Sequence, residues 1–68
     1  MRAYTNSEIE YLIDEHIHSK RDRLILKLKF IDGYTNEYIA ALKEVDLSPR
    51  RVSTIISNGS LIISEYLK

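Results

Sequence analysis

From Thr35 to Leu67 the chain sets out two helices joined by a turn, and this stretch limits the possible folds more than any other. Thr35-Asn36-Glu37-Tyr38-Ile39-Ala40 opens a short helix, because a threonine hydroxyl can accept the unpaired N–H groups of a first turn. Ser48-Pro49-Arg50-Arg51-Val52 opens a longer one, about 49–67. Ser48 suits the N-cap, and Pro49 suits the first helical position, where its missing N–H would have no partner anyway. Val52, Ile55, Ile56, Gly59, Ile62, Ile63, Tyr66 and Leu67 fall on one side of this second helix at the spacing of an apolar stripe. Arg50, Ser53, Thr54, Ser57 and Asn58 point largely away. One face packs and the other is free to read, which is the layout of a helix-turn-helix. Most helices carry Asp or Glu in the first turn to complement the dipole. Here two arginines leave the N–H groups and the positive helix end open to an external phosphate. Duplex DNA is the expected partner, since Arg, Ser, Thr and Asn can contact phosphates and base edges in the major groove. The plain alternative is an ordinary solvated helix face.

Two more helices precede this pair. In the first, about 6–18, Thr5-Asn6-Ser7-Glu8 and Ser7-Glu8-Ile9-Glu10 both fit a capping box, and Ile9, Leu12, Ile13, His16 and Ile17 recur at helical spacing. Ser19 can cap a second helix that runs to about Asp32 and stops at Gly33. Leu26-Lys27-Leu28-Lys29-Phe30 alternates with period two and, taken alone, reads as a half-buried strand. Helix is preferred because Leu24, Ile25, Leu28 and Ile31 form one apolar face while Leu26 and Phe30 form another. A helix packed on two sides would sit between the first helix and the later pair. In the short third helix, about 36–44, Tyr38, Ala41, Leu42 and Val45 have the spacing of a packed face. The expectation is an all-α, compact four-helix domain containing a helix-turn-helix, with residues 1–68 as one domain.

Size and composition narrow the function. A single 68-residue domain leaves little room for an enclosed catalytic pocket, so an enzyme is disfavoured. Without cysteine there is neither a disulfide framework nor a Cys-based zinc site, and Ile and Leu burial must hold the fold. No apolar run reaches the length of a membrane span, and Met1-Arg2-Ala3-Tyr4-Thr5-Asn6 lacks the apolar segment of a signal peptide. The expected setting is cytoplasmic, with no membrane partner and no cofactor. The formal net charge of zero hides a segregated pattern: residues 1–19 carry −3, 20–32 carry +3, 33–47 carry −2 and 48–68 carry +2. If Lys20, Arg21, Arg23, Lys27 and Lys29 share a side with Arg50 and Arg51, the local field attracts phosphate despite the neutral total. Otherwise these charges only solvate helix faces.

The residues also carry a resemblance. Ile25 to Ala40, with its Gly33-Tyr34-Thr35 junction and Ile39-Ala40 helix, followed by Leu47-Ser48-Pro49-Arg50-Arg51-Val52, resembles the fourth conserved region of bacterial sigma factors. The whole chain, including Glu8 to Asp14 and Arg21-Asp22-Arg23, is similar to short sigma-like proteins of Gram-positive phages and mobile elements. The resemblance implies a recognition helix in the major groove, with Ser48, Arg50, Arg51, Ser53, Thr54, Ser57 and Asn58 facing DNA. Thr35 joins this DNA-binding set. The span from Ala40 to Ser48 is two residues longer than usual in that family, and Ala41 to Asp46 lacks the common turn glycine. Nothing in the chain matches the rest of a sigma factor. The resemblance therefore implies a regulator, or an accessory that touches RNA polymerase.

Other constellations carry less. His16 lies on the apolar stripe of the first helix and His18 projects elsewhere, so Asp14-Glu15-His16-Ile17-His18 does not converge on a metal. The five tyrosines are scattered and suit a core rim better than a stacking platform, Tyr34 alone lying next to the helix pair. Gly59 costs a helix interior about 1 kcal/mol relative to Ala, yet it interrupts the apolar face, where it would let another helix approach closely. Leu61 falls near the centre of the polar face. Gly59 and Leu61 are thus candidate protein-interface positions, for a homodimer or a polymerase contact. The competing class is a small interaction module, an inhibitor or anti-repressor, that keeps the fold without binding DNA.

Overall fold

Four hydroxyl residues start the four helices. In the computed structural model, which describes residues 4–67, these are α1 (Asn6–His16), α2 (Lys20–Phe30), α3 (Asn36–Ala41) and α4 (Pro49–Ser64), and the described residues form no strand. The hydroxyls of Thr5, Ser19, Thr35 and Ser48 accept from the backbone N–H groups of Glu8, Asp22, Tyr38 and Arg51, each three residues on. At Thr5 the pairing is reciprocal, because the Glu8 carboxylate accepts the Thr5 N–H at 3.1 Å. Thr5→Ala is expected to cost about 1 kcal/mol, and Thr5→Ser far less, because serine keeps the accepting oxygen. Urea denaturation of both variants measures the difference. No helix among the described residues is long and apolar enough to cross a membrane.

The alternating segment Leu26 to Phe30 is helical, and its two-sided burial explains why. Ile25 and Leu26 are both fully buried and, as neighbours on a helix, point about 100° apart. Ile25 joins Ile39, Ala40, Val45, Val52 and Ile55, whereas Leu26 joins Ile13, Ile17 and Ile63. Ile56 borders both groups. As its pattern predicts, α2 lies centrally: α2 and α4 each pack on all other helices, whereas α1 and α3 do not meet. Phe30, expected on the second face, is 41% exposed and lies outside both clusters of buried residues.

Every helix keeps its expected start, but the ends differ. The first stops at His16 because Ile17 turns to extended backbone while still donating its N–H to the Ile13 carbonyl. Regular α2 ends at Phe30. Gly33 then adopts a left-handed φ of +78°, and the Tyr34 N–H returns to the Leu28 carbonyl, so glycine acts as the expected stop. The fourth helix ends at Ser64 rather than 67, and the Tyr4 hydroxyl donates to the Leu67 carbonyl at 2.7 Å.

The third helix requires a larger correction. It ends at Ala41, and its buried residues are Ile39 and Ala40; Tyr38 and Ala41, expected on the packed face, are exposed. The expected spacing assumed a helix continuing to residue 44. Leu42 instead leaves in extended conformation, and the N–H groups of Val45 and Asp46 both return to its carbonyl. Leu42 and Val45 thus reach the core from the turn, and the short helix is free to rotate by roughly one residue, about 100°. Asp46 has a φ of +47° and occupies the left-handed position where a turn glycine would be expected. Aspartate tolerates that region better than most residues.

Gly59 is buried where α4 crosses α2. A Cβ added there would lie 2.5 and 2.6 Å from the two methyl carbons of Leu26. The close helix approach read from the sequence is real, but the approaching helix belongs to the same chain. The space at Gly59 is filled by Leu26 of α2.

Candidate nucleic-acid interface

The exposed surface of α4 starts from its cap. Ser48 Oγ accepts the Arg51 N–H at 3.2 Å, Pro49 occupies the first turn, and that turn contains no acidic residue. Arg50, Arg51, Ser53, Thr54, Ser57 and Asn58 are all exposed. The Thr54 hydroxyl donates to the Arg50 carbonyl at 3.1 Å, which uses its proton and leaves the oxygen able to accept. Leu61 is 69% exposed and continues the file of Arg50, Thr54 and Ser57, so an apolar side chain follows the polar one along the same face.

The basic residues of α2 separate into two groups. Lys27 pairs with Asp14 of α1 at 2.8 Å, and Arg23 Nε donates to the Ile17 carbonyl. Both therefore brace α1. Lys29 is half-buried, whereas Lys20 and Arg21 are exposed in the first turn beside Ser19. Between the α1–α2 connection and α4 lies an open groove of about 380 Å³. Arg51, Thr54 and Asn58 form one wall; His18, Ser19 and Asp22 form the other, with Leu26 and Gly59 at its base. This groove is not legible in the sequence, because its walls are some thirty residues apart along the chain.

Thr35 is exposed at the start of α3, flanked by a ring pair. Tyr34 and Tyr38 are both exposed and stack with centroids 4.6 Å apart. Tyr38, expected on the packed face, lies in this exposed pair instead; the i, i+4 spacing of the two tyrosines is the signal that they can meet on one side. At the other end of the molecule His16 stacks on Tyr66, with centroids 3.6 Å apart and planes within 3°. That contact gives His16 a packing role between α1 and the end of α4. Among the described residues no group of three His, Asp or Glu side chains is placed to hold a metal ion. No protein family, curated protein or solved structure matches this chain.

Proposed function

We propose that the chain is a sequence-specific duplex DNA-binding transcription regulator or sigma-like accessory, in which α3, the turn at 42–48 and α4 act as a helix-turn-helix with α4 in the major groove. The observation that carries this reading is the start of α4: a capped, acid-free first turn bearing exposed Arg50 and Arg51, followed by exposed Ser53, Thr54, Ser57 and Asn58. A free helix N-terminus attracts phosphate, and these side chains have the donors and acceptors that base edges require. The resemblance to the fourth region of sigma factors supports the same assignment and adds RNA polymerase as a second partner. Because the formal net charge is zero, sequence-independent attraction to DNA is weak, and useful affinity must come from this local surface or from a homodimer.

Selection of bound fragments from a random duplex library at two salt concentrations tests the proposal. The expected result is an enriched motif; two symmetric half-sites would indicate a dimer and a single site a monomer. Failure to enrich any motif at the lower salt would remove DNA reading. One observation favours the other reading, a small protein-interaction module: Leu61 stands exposed on the same face as the arginines. In that case an inhibitor or anti-repressor would use the α4 surface against a protein partner.

A further inference from the structure

Resting on the DNA-reading proposal, we infer that the groove between the α1–α2 connection and α4 cradles one phosphodiester strand of the duplex, with Arg51 as a backbone contact and Arg50 as the base reader.

The inference starts from the division of the exposed α4 residues into two files. Arg50 and Ser57 lie in one file, Arg51 and Asn58 repeat that spacing one residue later, and Thr54 falls between the two. At about 100° per residue, Arg50 stands about 180° from buried Gly59, whereas Arg51 and Asn58 stand only about 80–100° from it. Arg50 therefore projects straight away from the protein, while Arg51 and Asn58 project sideways and line the groove. An α-helix with its side chains is about 10–12 Å across, close to the roughly 12 Å width of the major groove. Side chains pointing straight out meet base edges at the groove floor; those pointing sideways meet the phosphate strands on its rims.

The second wall makes the two flanks unequal. Opposite Arg51 stand His18 and Ser19, and exposed Lys20 and Arg21 follow Ser19 on the same turn. The other flank of α4 presents Ser53 and Ser60 and no cation. On the α1–α2 side a phosphate strand running about 10 Å from Arg51 to Asn58 would have Arg51 on one wall and, outside the groove lining beyond Ser19, the exposed cations Lys20 and Arg21. Asp22 opposes this, because its half-buried side chain lines the same groove. Its carboxylate would weaken attraction for any phosphate seated there, which makes it a sensitive reporter.

The test is a salt series with a selected and a scrambled duplex, using the full chain and variants shown by circular dichroism to remain folded. Arg51→Ala should weaken both duplexes by the same factor and lower the slope of log affinity against log salt by about one. The double variant Lys20→Ala/Arg21→Ala should lower it similarly or further. Asp22→Asn should strengthen both duplexes alike, and Arg50→Ala should weaken the selected duplex far more than the scrambled one. If Arg51→Ala loses only the selected duplex at unchanged slope, or if the Lys20/Arg21 and Asp22 variants bind as wild type does, the groove assignment fails while DNA reading stands. A wild-type protein that binds no duplex overturns both.

Discussion

Leu26→Ala is expected to bring the domain close to unfolding, and adding a side chain at Gly59 in that background is expected to restore part of the loss. Leu26 is fully buried, and truncating such a leucine costs about 2–5 kcal/mol through lost burial and the cavity left behind. At about 0.05–0.15 kcal/mol per residue, a domain this small has only roughly 3–10 kcal/mol in total. Gly59→Leu in the otherwise unchanged protein should cost about 1–3 kcal/mol, because the new atoms enter space held by the Leu26 methyl groups. Leu26 also packs with Ile13, Ile17 and Ile63, so moving aside would disturb that cluster. In Gly59→Ala/Leu26→Ala the added methyl enters vacated space, and a coupling of about 0.5–3 kcal/mol is expected relative to the sum of the single changes. Urea denaturation of the four proteins in the cycle measures it. Strictly additive effects, or a Gly59→Leu protein that melts no lower than wild type, would show that the α2–α4 crossing is not tightly filled.

Arg50→Ala is expected to weaken binding of the selected duplex by about 1–3 kcal/mol, roughly 5- to 150-fold, and Arg51→Ala to weaken selected and scrambled duplexes alike with a salt slope lower by about one. Effects this large follow from how few cations can reach DNA. Lys27 is held by Asp14, Arg23 is held by the Ile17 carbonyl, and Lys29 is half-buried. Arg50, Arg51, Lys20, Arg21 and, in the turn at 42–48, Lys43 are the exposed arginine and lysine side chains among the described residues, and loss of one removes a sizeable share of the local positive potential. Titration by fluorescence anisotropy with labelled duplex measures each loss. If both variants match the wild type, the surface of α4 does not read DNA and the protein-interaction module becomes the better account.

What was legible in the sequence follows from short-range chemistry. The four capping hydroxyls, Pro49 in the first turn of α4 and the left-handed Gly33 are local features whose consequences reach only a few residues. The helical state of Leu26 to Phe30 was also legible, because its apolar residues fill two faces and not one. The orientation of α3 was not. Six residues contain too little periodicity to define a face, and tertiary docking of Ile39 and Ala40 decided the rotation. Asp46 was only a weak mark of a left-handed turn, since aspartate is also common at helix starts and in ordinary turns. Within the candidate site, the exposure of Arg50 and Arg51 and of the polar file beyond them was readable from the wheel. The roles of Lys27 and Arg23 were not, because each depends on a partner supplied by α1 or its end. The groove likewise exists only where α4 passes the α1–α2 connection.

The sharing of α2 between two apolar clusters also governs how the chain can be divided. A cut after Asp32 would leave the first fragment with Leu26, Ile13 and Ile17 but without Ile63, and the second with Val52, Ile39 and Val45 but without Ile25. Neither fragment retains a closed interior. The segment that carries Arg50 and Arg51 is therefore no transplantable cassette: moved alone into another scaffold it would lack the helix against which its inner face is shaped, and complementation would require both pieces together.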